Sequence, residues 1–276
     1  MKRKVGIVLS GGGARGAYQI GVLKALKKAG LLDDIYAYGG ASVGSLNAVL
    51  LAMGDLELAE SIWLSMDEDS LFKSEESFIK NLFKKGLEVV YSGYYPTDNL
   101  EKLIDNILDY KAIKDKNIYV TTTYVGDEDV SFWELLFLNA RNAFDDIDHV
   151  RYSKLSDLSE EDIKKTLLAS CAIPLVFKPV VIQNKTYYDG GVLDNIPYKP
   201  LIDAGCDEII VIELFRFNFR RTHITKDVTM HTLKPSRHLR GVLNFSKDQI
   251  QRRFEIGLKD GEKFADKILA TRDGER

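Results

Sequence analysis

The amino-acid sequence predicts an α/β fold built on a mostly parallel sheet, and three stretches predict it. Val5-Gly6-Ile7-Val8-Leu9 is an apolar, strand-like run that breaks into a glycine loop and then an amphipathic helix. Ile35-Tyr36-Ala37-Tyr38-Gly39 is a second such run, and it turns through Gly40-Ala41-Ser42-Val43-Gly44 into a second helix. Ile209-Ile210-Val211-Ile212, flanked by Glu208 and Glu213, is the continuous apolar pattern of a strand covered on both faces. A chain of 276 residues, 45% of them hydrophobic, suffices for one large α/β domain or two smaller ones. With no internal repeat and no low-complexity linker, a single domain over 1–276 is expected.

The elements follow in order. The first helix turns Ile20, Leu23 and Leu26 inward and Lys24, Lys27 and Lys28 outward, and Gly30 ends it. The second carries Leu46, Val49, Leu50 and Met53 on one face. Residues 55–112 form a helical excursion from the sheet. It opens on Asp67, Glu68 and Asp69 and continues as an amphipathic pattern of Phe78, Ile79, Leu82, Phe83 and Leu87 among Lys80, Lys84 and Lys85. That pattern reads as a helix packed on the domain, or as an acyl-chain groove, lid or membrane-surface helix. Tyr91, Tyr94 and Tyr95 follow, and then a helix with Leu100, Leu103, Ile104, Ile107 and Leu108, begun at Thr97 or Asp98. Residues 118–125 are β-branched and aromatic, the composition of a strand. The apolar segment 132–144 has no clear period. Ser159-x-x-Asp162 is a capping box for a helix lined by Ile163, Thr166, Leu167 and Ser170. Val180-Val181-Ile182-Gln183, a turn at Asn184-Lys185, and Thr186-Tyr187-Tyr188 read as a hairpin delivering Asp189-Gly190-Gly191. Beyond Leu214, Arg216, Arg220 and Arg221 interleave with Phe217 and Phe219, as a solvated edge or a contact for anionic head groups. A last helix carries Phe254, Leu258, Phe264 and Ile268.

The chemistry centres on Ser42. Gly40-x-Ser42-x-Gly44 between a strand and a helix is the pattern of a nucleophile elbow, where crowded backbone needs flanking positions without side chains. The first amides of the helix favour a developing anion. Gly11-x-Gly13-x-x-Gly16 formally matches the dinucleotide fingerprint, but that fingerprint also wants an acid at the end of the second strand to hold a ribose. Here that strand ends in Gly39-Gly40-Ala41-Ser42, and no Gly-Lys-Ser/Thr makes a phosphate loop. What remains for a bare glycine loop at a helix N-terminus is to aim N–H groups at an anion, and beside a serine that anion is the oxyanion of acyl transfer. Gly11, Gly12, Gly13, Arg15 and Gly16 are the candidates, with Arg15 either anchoring the loop or attracting an anionic substrate.

A serine hydroxyl needs a base. The order Ser…Asp…His of a triad is formally available, since the chain has four histidines, His149, His223, His231 and His238. None follows a strand within a compact turn motif. Asp189 does: it ends a hairpin strand, and Gly190 and Gly191 let its backbone approach another chain closely.

Gly11-Gly12-Gly13-Ala14-Arg15-Gly16, Gly40-Ala41-Ser42-Val43-Gly44-Ser45-Leu46-Asn47-Ala48, Ala169-Ser170-Cys171-Ala172-Ile173-Pro174, Asp189-Gly190-Gly191-Val192 and Asn195-Ile196-Pro197 together resemble the patatin-like acyl hydrolases and phospholipases. The tail from Pro235-Ser236 to Gly241-Val242-Leu243-Asn244-Phe245-Ser246 is similar to bacterial members. The resemblance implies a three-layer α/β/α sandwich, a Ser42–Asp189 dyad without histidine, an oxyanion hole at the glycine loop, and acyl esters of lipids as substrates. The segments 72–95 and 132–151 match no motif of that family, and substrate choice is expected to reside there. The implied scheme needs no cofactor and no metal. A catalytically silent lipid-binding or regulatory protein of the same fold, or a dinucleotide-binding oxidoreductase, are the alternatives.

Composition narrows the partners. A net charge of −3 gives no basic field for nucleic acid. Cys171 and Cys206 supply neither a disulfide framework nor metal-ligand spacing, which fits a reducing compartment. Residues 5–9 are too short for a signal sequence, and no apolar stretch is long enough to span a bilayer. The expectation is a cytoplasmic protein, with peripheral membrane contact open and oligomeric state unassigned.

Overall fold

A computed structural model of the chain describes residues 3–66, 98–126, 149–174, 176–216 and 228–274. At its centre lies strand β1 (Val5–Leu9), fully buried and flanked in parallel by β2 (Ile35–Ala41) and β7 (Glu208–Ile212). Strand β8 (Thr229–Leu233) continues the parallel set beyond β7, and β3 (Asn117–Gly126) runs parallel to β2 on the other side. The antiparallel part consists of β4 (Val150–Lys154), β5 (Val180–Ile182) and β6 (Lys185–Asp189). The strand order is β5-β6-β3-β2-β1-β7-β8, with β4 also paired to β3.

Alternation along the strands sorts the core onto two faces. Ile7, Leu9, Ile210, Ile212 and Val120 face the larger helical layer. That layer holds α1 (Gly16–Lys28), α2 (Val43–Met53), α3 (Leu56–Ser65), α4 (Asp98–Ile107), α5 (Tyr110–Ile113), α6 (Glu160–Ser170) and the long α8 (Lys247–Gly274). Val8, Ala37, Ile209 and Val211 face the opposite way, onto Leu201 of the short α7 (Lys199–Asp203) and Cys206. The result is helix, sheet, helix, as expected, with a thin third layer among the described residues.

Helix α1 departs from the sequence reading of one apolar face. Tyr18, Gly21, Val22 and Ala25 are buried as well as Ile20, Leu23 and Leu26. The cause is α8, which crosses it at contact distance: a Cβ on Gly21 would collide with the Phe254 carbonyl, and one on Gly257 with the Tyr18 carbonyl. Within the crossing, the Tyr18 hydroxyl donates to Asp260 Oδ2 at 3.1 Å.

The hairpin turn lies one residue earlier than its composition suggests. Gln183 and Asn184 are its corner, at φ 49° and 61°, and Lys185 already belongs to β6. Two left-handed residues in a row match the twist of the flanking strands. Both ends of the excursion are helical, as α3 and as α4 with α5. The acidic cluster at Asp67, the amphipathic pattern over 78–87, Tyr91, Tyr94, Tyr95, Thr97, the segment 132–144, the stretch from Phe217 to Arg221 and His223 lie outside the described residues. Among the described residues, no helix is long and apolar enough to cross a membrane.

Candidate active site

Strand β3 brings the two key residues together. Along one edge it pairs with β4. Along the other it pairs with β2 up to Thr121, opposite Ala41, and with β6 from Thr122, opposite Asp189. Since β2 runs parallel to β3 and β6 antiparallel, their C-terminal ends meet head-on at that point. Ser42, next after Ala41, therefore comes to Asp189 although 147 positions separate them in the numbering.

Ser42 caps α2 at φ 52°, ψ −133°, a conformation that costs a non-glycine residue on the order of 1–3 kcal/mol. Its neighbours hold it there. The Ser42 N–H donates to Ser170 Oγ at 2.9 Å, and Ser170 Oγ donates onward to the Thr121 carbonyl at 2.8 Å. The Ser42 carbonyl accepts from both the N–H and the hydroxyl of Ser45, at 2.8 and 2.6 Å. The elbow is also too tight for side chains: a Cβ on Gly44 would strike the Leu9 carbonyl, and one on Gly40 would meet Ser45 Cα at 2.5 Å.

Asp189 is held from three directions. Its N–H donates to the Ala172 carbonyl at 3.0 Å, its carbonyl accepts from Thr123 Oγ1 at 2.9 Å, and its Oδ1 accepts from the Gly191 N–H at 2.7 Å. Gly190 lies flat on Thr121, with no room for a Cβ. Burial pushes the Asp189 carboxyl up to about 7, against the pull of hydrogen bonds from the Ser42 hydroxyl and the Gly191 N–H. A carboxyl with that pKa, touching a serine hydroxyl, suits proton transfer near neutral pH.

In the glycine loop the candidate donors separate. The Gly11 N–H donates to Asn195 Oδ1 at 3.0 Å, and Asn195 Nδ2 donates back to the Gly11 carbonyl at 3.2 Å, so Gly11 is clamped. The Gly16 N–H closes onto the Gly13 carbonyl, and the Arg15 N–H onto that of Gly12 at 3.2 Å. The Gly12 and Gly13 N–H groups donate to no acceptor among the described residues. The Arg15 side chain anchors rather than reaches out: Nε donates to the Arg240 carbonyl at 2.7 Å, and the guanidinium lies 4.5 Å from the Phe215 ring centroid. Behind the loop runs a polar chain. Gln19 Nε2 donates to the Ser10 carbonyl at 2.8 Å, Asn47 Nδ2 to Gln19 Oε1 at 2.8 Å, and Trp63 Nε1 to Asn47 Oδ1 at 2.8 Å.

Ser42 and Gly13 open into a pocket of about 620 Å³, counting its mouth. Its walls are Leu46, Leu50, Ile62, Trp63, Met66, Leu100, Leu103, Ile107, Ile173, Phe177 and Phe245, so nearly all of it is hydrocarbon. None of the described histidines lines it. His149 Nδ1 bonds the Tyr124 carbonyl, His231 sits against Glu208, and His238 accepts from the Arg240 N–H. Among the described residues no three His, Cys, Asp or Glu side chains converge on a metal position. Asn195 and Ser170 stood in the sequence only as members of helix or family motifs, with no chemical role, and Arg253 had no reading at all. The first two act through contacts distant in sequence. Arg253 left a faint signal, as a charge on the buried face of α8 beside Ile250 and Phe254.

A family model described as Patatin-like phospholipase matches residues 7–202. The chain belongs to the patatin-like phospholipases. Among curated relatives, lysophospholipase nte1 of Aspergillus terreus is 25% identical over 215 residues, and lysophospholipase NTE1 of Cryptococcus neoformans is 28% identical over 212. Each alignment takes in 77% of this chain but only 12% and 11% of the respective relative, so this patatin-like chain spans a small part of the curated relatives it matches. Two solved structures share its fold. VipD from Legionella pneumophila superposes with a TM-score of 0.52 at 16% identity, covering 97% of this chain and 67% of that one. Human GIVD cytosolic phospholipase A2 gives 0.54 at 10% identity, covering 97% and 59%.

Proposed function

We propose that the chain is a serine acyl hydrolase that cleaves carboxylic esters of lipids, of the phospholipase A or lysophospholipase type, through a Ser42–Asp189 dyad. One observation carries this reading: a strained, buried serine hydroxyl touches a buried carboxyl at the head of an apolar pocket. In the proposed scheme the acyl chain of the substrate lies along Leu46, Leu50, Leu103 and Phe245. Ser42 Oγ attacks the ester carbonyl as its proton passes to Asp189. The Gly12 and Gly13 N–H groups hold the oxyanion, and the protonated Asp189 delivers its proton to the departing alkoxide. Water, deprotonated by Asp189, then attacks the acyl-enzyme carbonyl, and Asp189 returns the proton to Ser42 Oγ as the acyl–oxygen bond breaks and the fatty acid leaves. No cofactor or metal takes part. Residues 1–276 act as one hydrolase domain in this reading, and contact with a lipid surface brings the ester to the pocket mouth.

The test is a fluorophosphonate probe followed by hydrolysis of a panel of phospholipids, lysophospholipids, glycerides and p-nitrophenyl esters. The wild-type chain is expected to be labelled on Ser42 and to release fatty acid, and Ser42→Ala to do neither. A folded wild-type chain that is not labelled and cleaves no ester would leave a lipid-binding protein in place of an enzyme.

A further inference from the structure

Arg253 is the bulkiest of the fully buried side chains, with none of its surface exposed. No carboxylate is among its described partners. Instead its guanidinium donates only to backbone carbonyls: Nε to Leu239 at 2.8 Å, Nη2 to Gly241 at 2.8 Å, and Nη1 to Asn244 at 2.6 Å and Ala14 at 3.0 Å. The first three acceptors belong to one turn, residues 239–244, and the fourth belongs to the glycine loop. The turn in turn grips that loop. The Ala14 N–H donates to the Val242 carbonyl at 2.7 Å, Arg15 Nε reaches the Arg240 carbonyl, and the Val242 carbonyl lies where a Cβ of Gly13 would stand.

These bonds fix the two peptide planes that follow Gly13. The Gly13–Ala14 plane is tied through the Ala14 N–H, and the Ala14–Arg15 plane through the Ala14 carbonyl. The two N–H groups left without an acceptor among the described residues, Gly12 and Gly13, lie immediately upstream. We infer that Arg253 is a positioning residue: its planar fork locks the 239–244 turn against the glycine loop and so aims the Gly12 and Gly13 amides at the oxyanion. A lysine keeps the charge but has no fixed fork with which to span four carbonyls in two segments. Burial and the nearby Arg15, Arg252 and Arg240 pull the Arg253 pKa down to about 10, so the group stays charged at neutral pH.

This inference rests on the hydrolase reading, and the experiment separates the two. Wild type and Ser42→Ala are first compared for fluorophosphonate labelling, which tests the hydrolase alone. On an enzyme that passes, kcat, KM, labelling rate and thermal unfolding are measured for Arg253→Lys and Arg253→Gln. A loss of about 100-fold in kcat is expected for Arg253→Gln, the scale of a displaced oxyanion donor, with KM within about twofold of wild type. Arg253→Lys is expected to unfold cooperatively and still to lose at least about tenfold in kcat, since charge without the fork does not aim the amides. Arg253→Ala is expected to recover turnover when ethylguanidinium is added while its Tm stays unchanged; a recovery that only tracks a rise in Tm would mark a merely structural role. A folded Arg253→Lys with wild-type kcat overturns the inference, as does a loss confined to KM. So does failure of both charged and neutral variants to fold, which would make Arg253 a stability residue only.

Discussion

In the proposed dyad Asp189 would face two opposed demands. A base there must be ionised, yet burial favours the neutral carboxyl and raises it to about 7. If Asp189 is the base, kcat/KM should rise with pH through about 7 and then level off. A histidine base would give nearly the same profile, so the pH curve alone does not distinguish dyad from triad. Variants do. Asp189→Asn should be as inactive as Ser42→Ala, while single alanine changes at His149, His223, His231 and His238 should each keep most of the wild-type kcat/KM. A collapse in any one histidine variant, with Asp189→Asn still active, would replace the dyad. The same burial makes a stability prediction. Between the ordinary value of 3.8 and about 7 the folded state holds the Asp189 proton more tightly than the unfolded chain does. Wild-type stability therefore falls as pH rises through that window, because the buried carboxylate must ionise. An asparagine side chain at this position would carry no such charge. The Tm of Asp189→Asn should exceed that of wild type at pH 8, and the gap should narrow toward pH 5. A gap that widens on acidification would show that Asp189 is not held neutral by its surroundings.

Two glycines at helix ends show how position decides the cost of a methyl group. Gly13 and Gly54 both have positive φ, 53° and 84°. A Cβ on Gly54 meets nothing within 4 Å, whereas one on Gly13 runs into the Val242 carbonyl. Gly54→Ala should cost only backbone strain, about 1–2 kcal/mol of stability, and leave kcat unchanged. Gly13→Ala must push the loop away from the 239–244 turn, and about a 100-fold loss of kcat is expected from the misplaced amides. Equal kcat in the two variants would remove the glycine loop from the chemistry. The same contrast explains what was legible in the sequence. Strands β1, β2 and β7, the Ser42 turn and the hairpin declare themselves through local pattern, because buried parallel strands are apolar throughout and a sharp turn demands glycine. Strand β4, Val-Arg-Tyr-Ser-Lys, and edge strand β8, Thr-Met-His-Thr-Leu, are half-solvated and carry no such pattern. The engagement of Gly11 by Asn195 was not legible, because the residue that takes up its N–H comes from a turn 184 positions away. The same holds for Arg253, whose loop partner Ala14 is 239 positions distant.

At the scale of the molecule, α8 ties the glycine loop to the sheet, its 28 residues extending about 42 Å along the helical layer. Near one end Arg253 holds the glycine loop. Near the other, Arg272 donates twice to Glu208 Oε1, at 3.0 and 2.8 Å, where β7 begins. The helical layer so braced lines the pocket, and α4 contributes Leu100, Leu103 and Ile107 to its wall. If an acyl chain occupies this space, each buried methylene should add about 0.8 kcal/mol, or roughly fourfold in kcat/KM, until the pocket is full. A series of p-nitrophenyl esters from acetate to palmitate should show that rise and then a plateau. Leu103 is only half-buried, so Leu103→Trp can be accommodated while its ring takes up pocket space. The variant should leave hydrolysis of acetate and butyrate esters unchanged and bring the plateau to shorter chains. A uniform fall across the whole series, acetate included, would mean that Leu103 supports the site rather than bounding the acyl chain, and that the chain lies elsewhere.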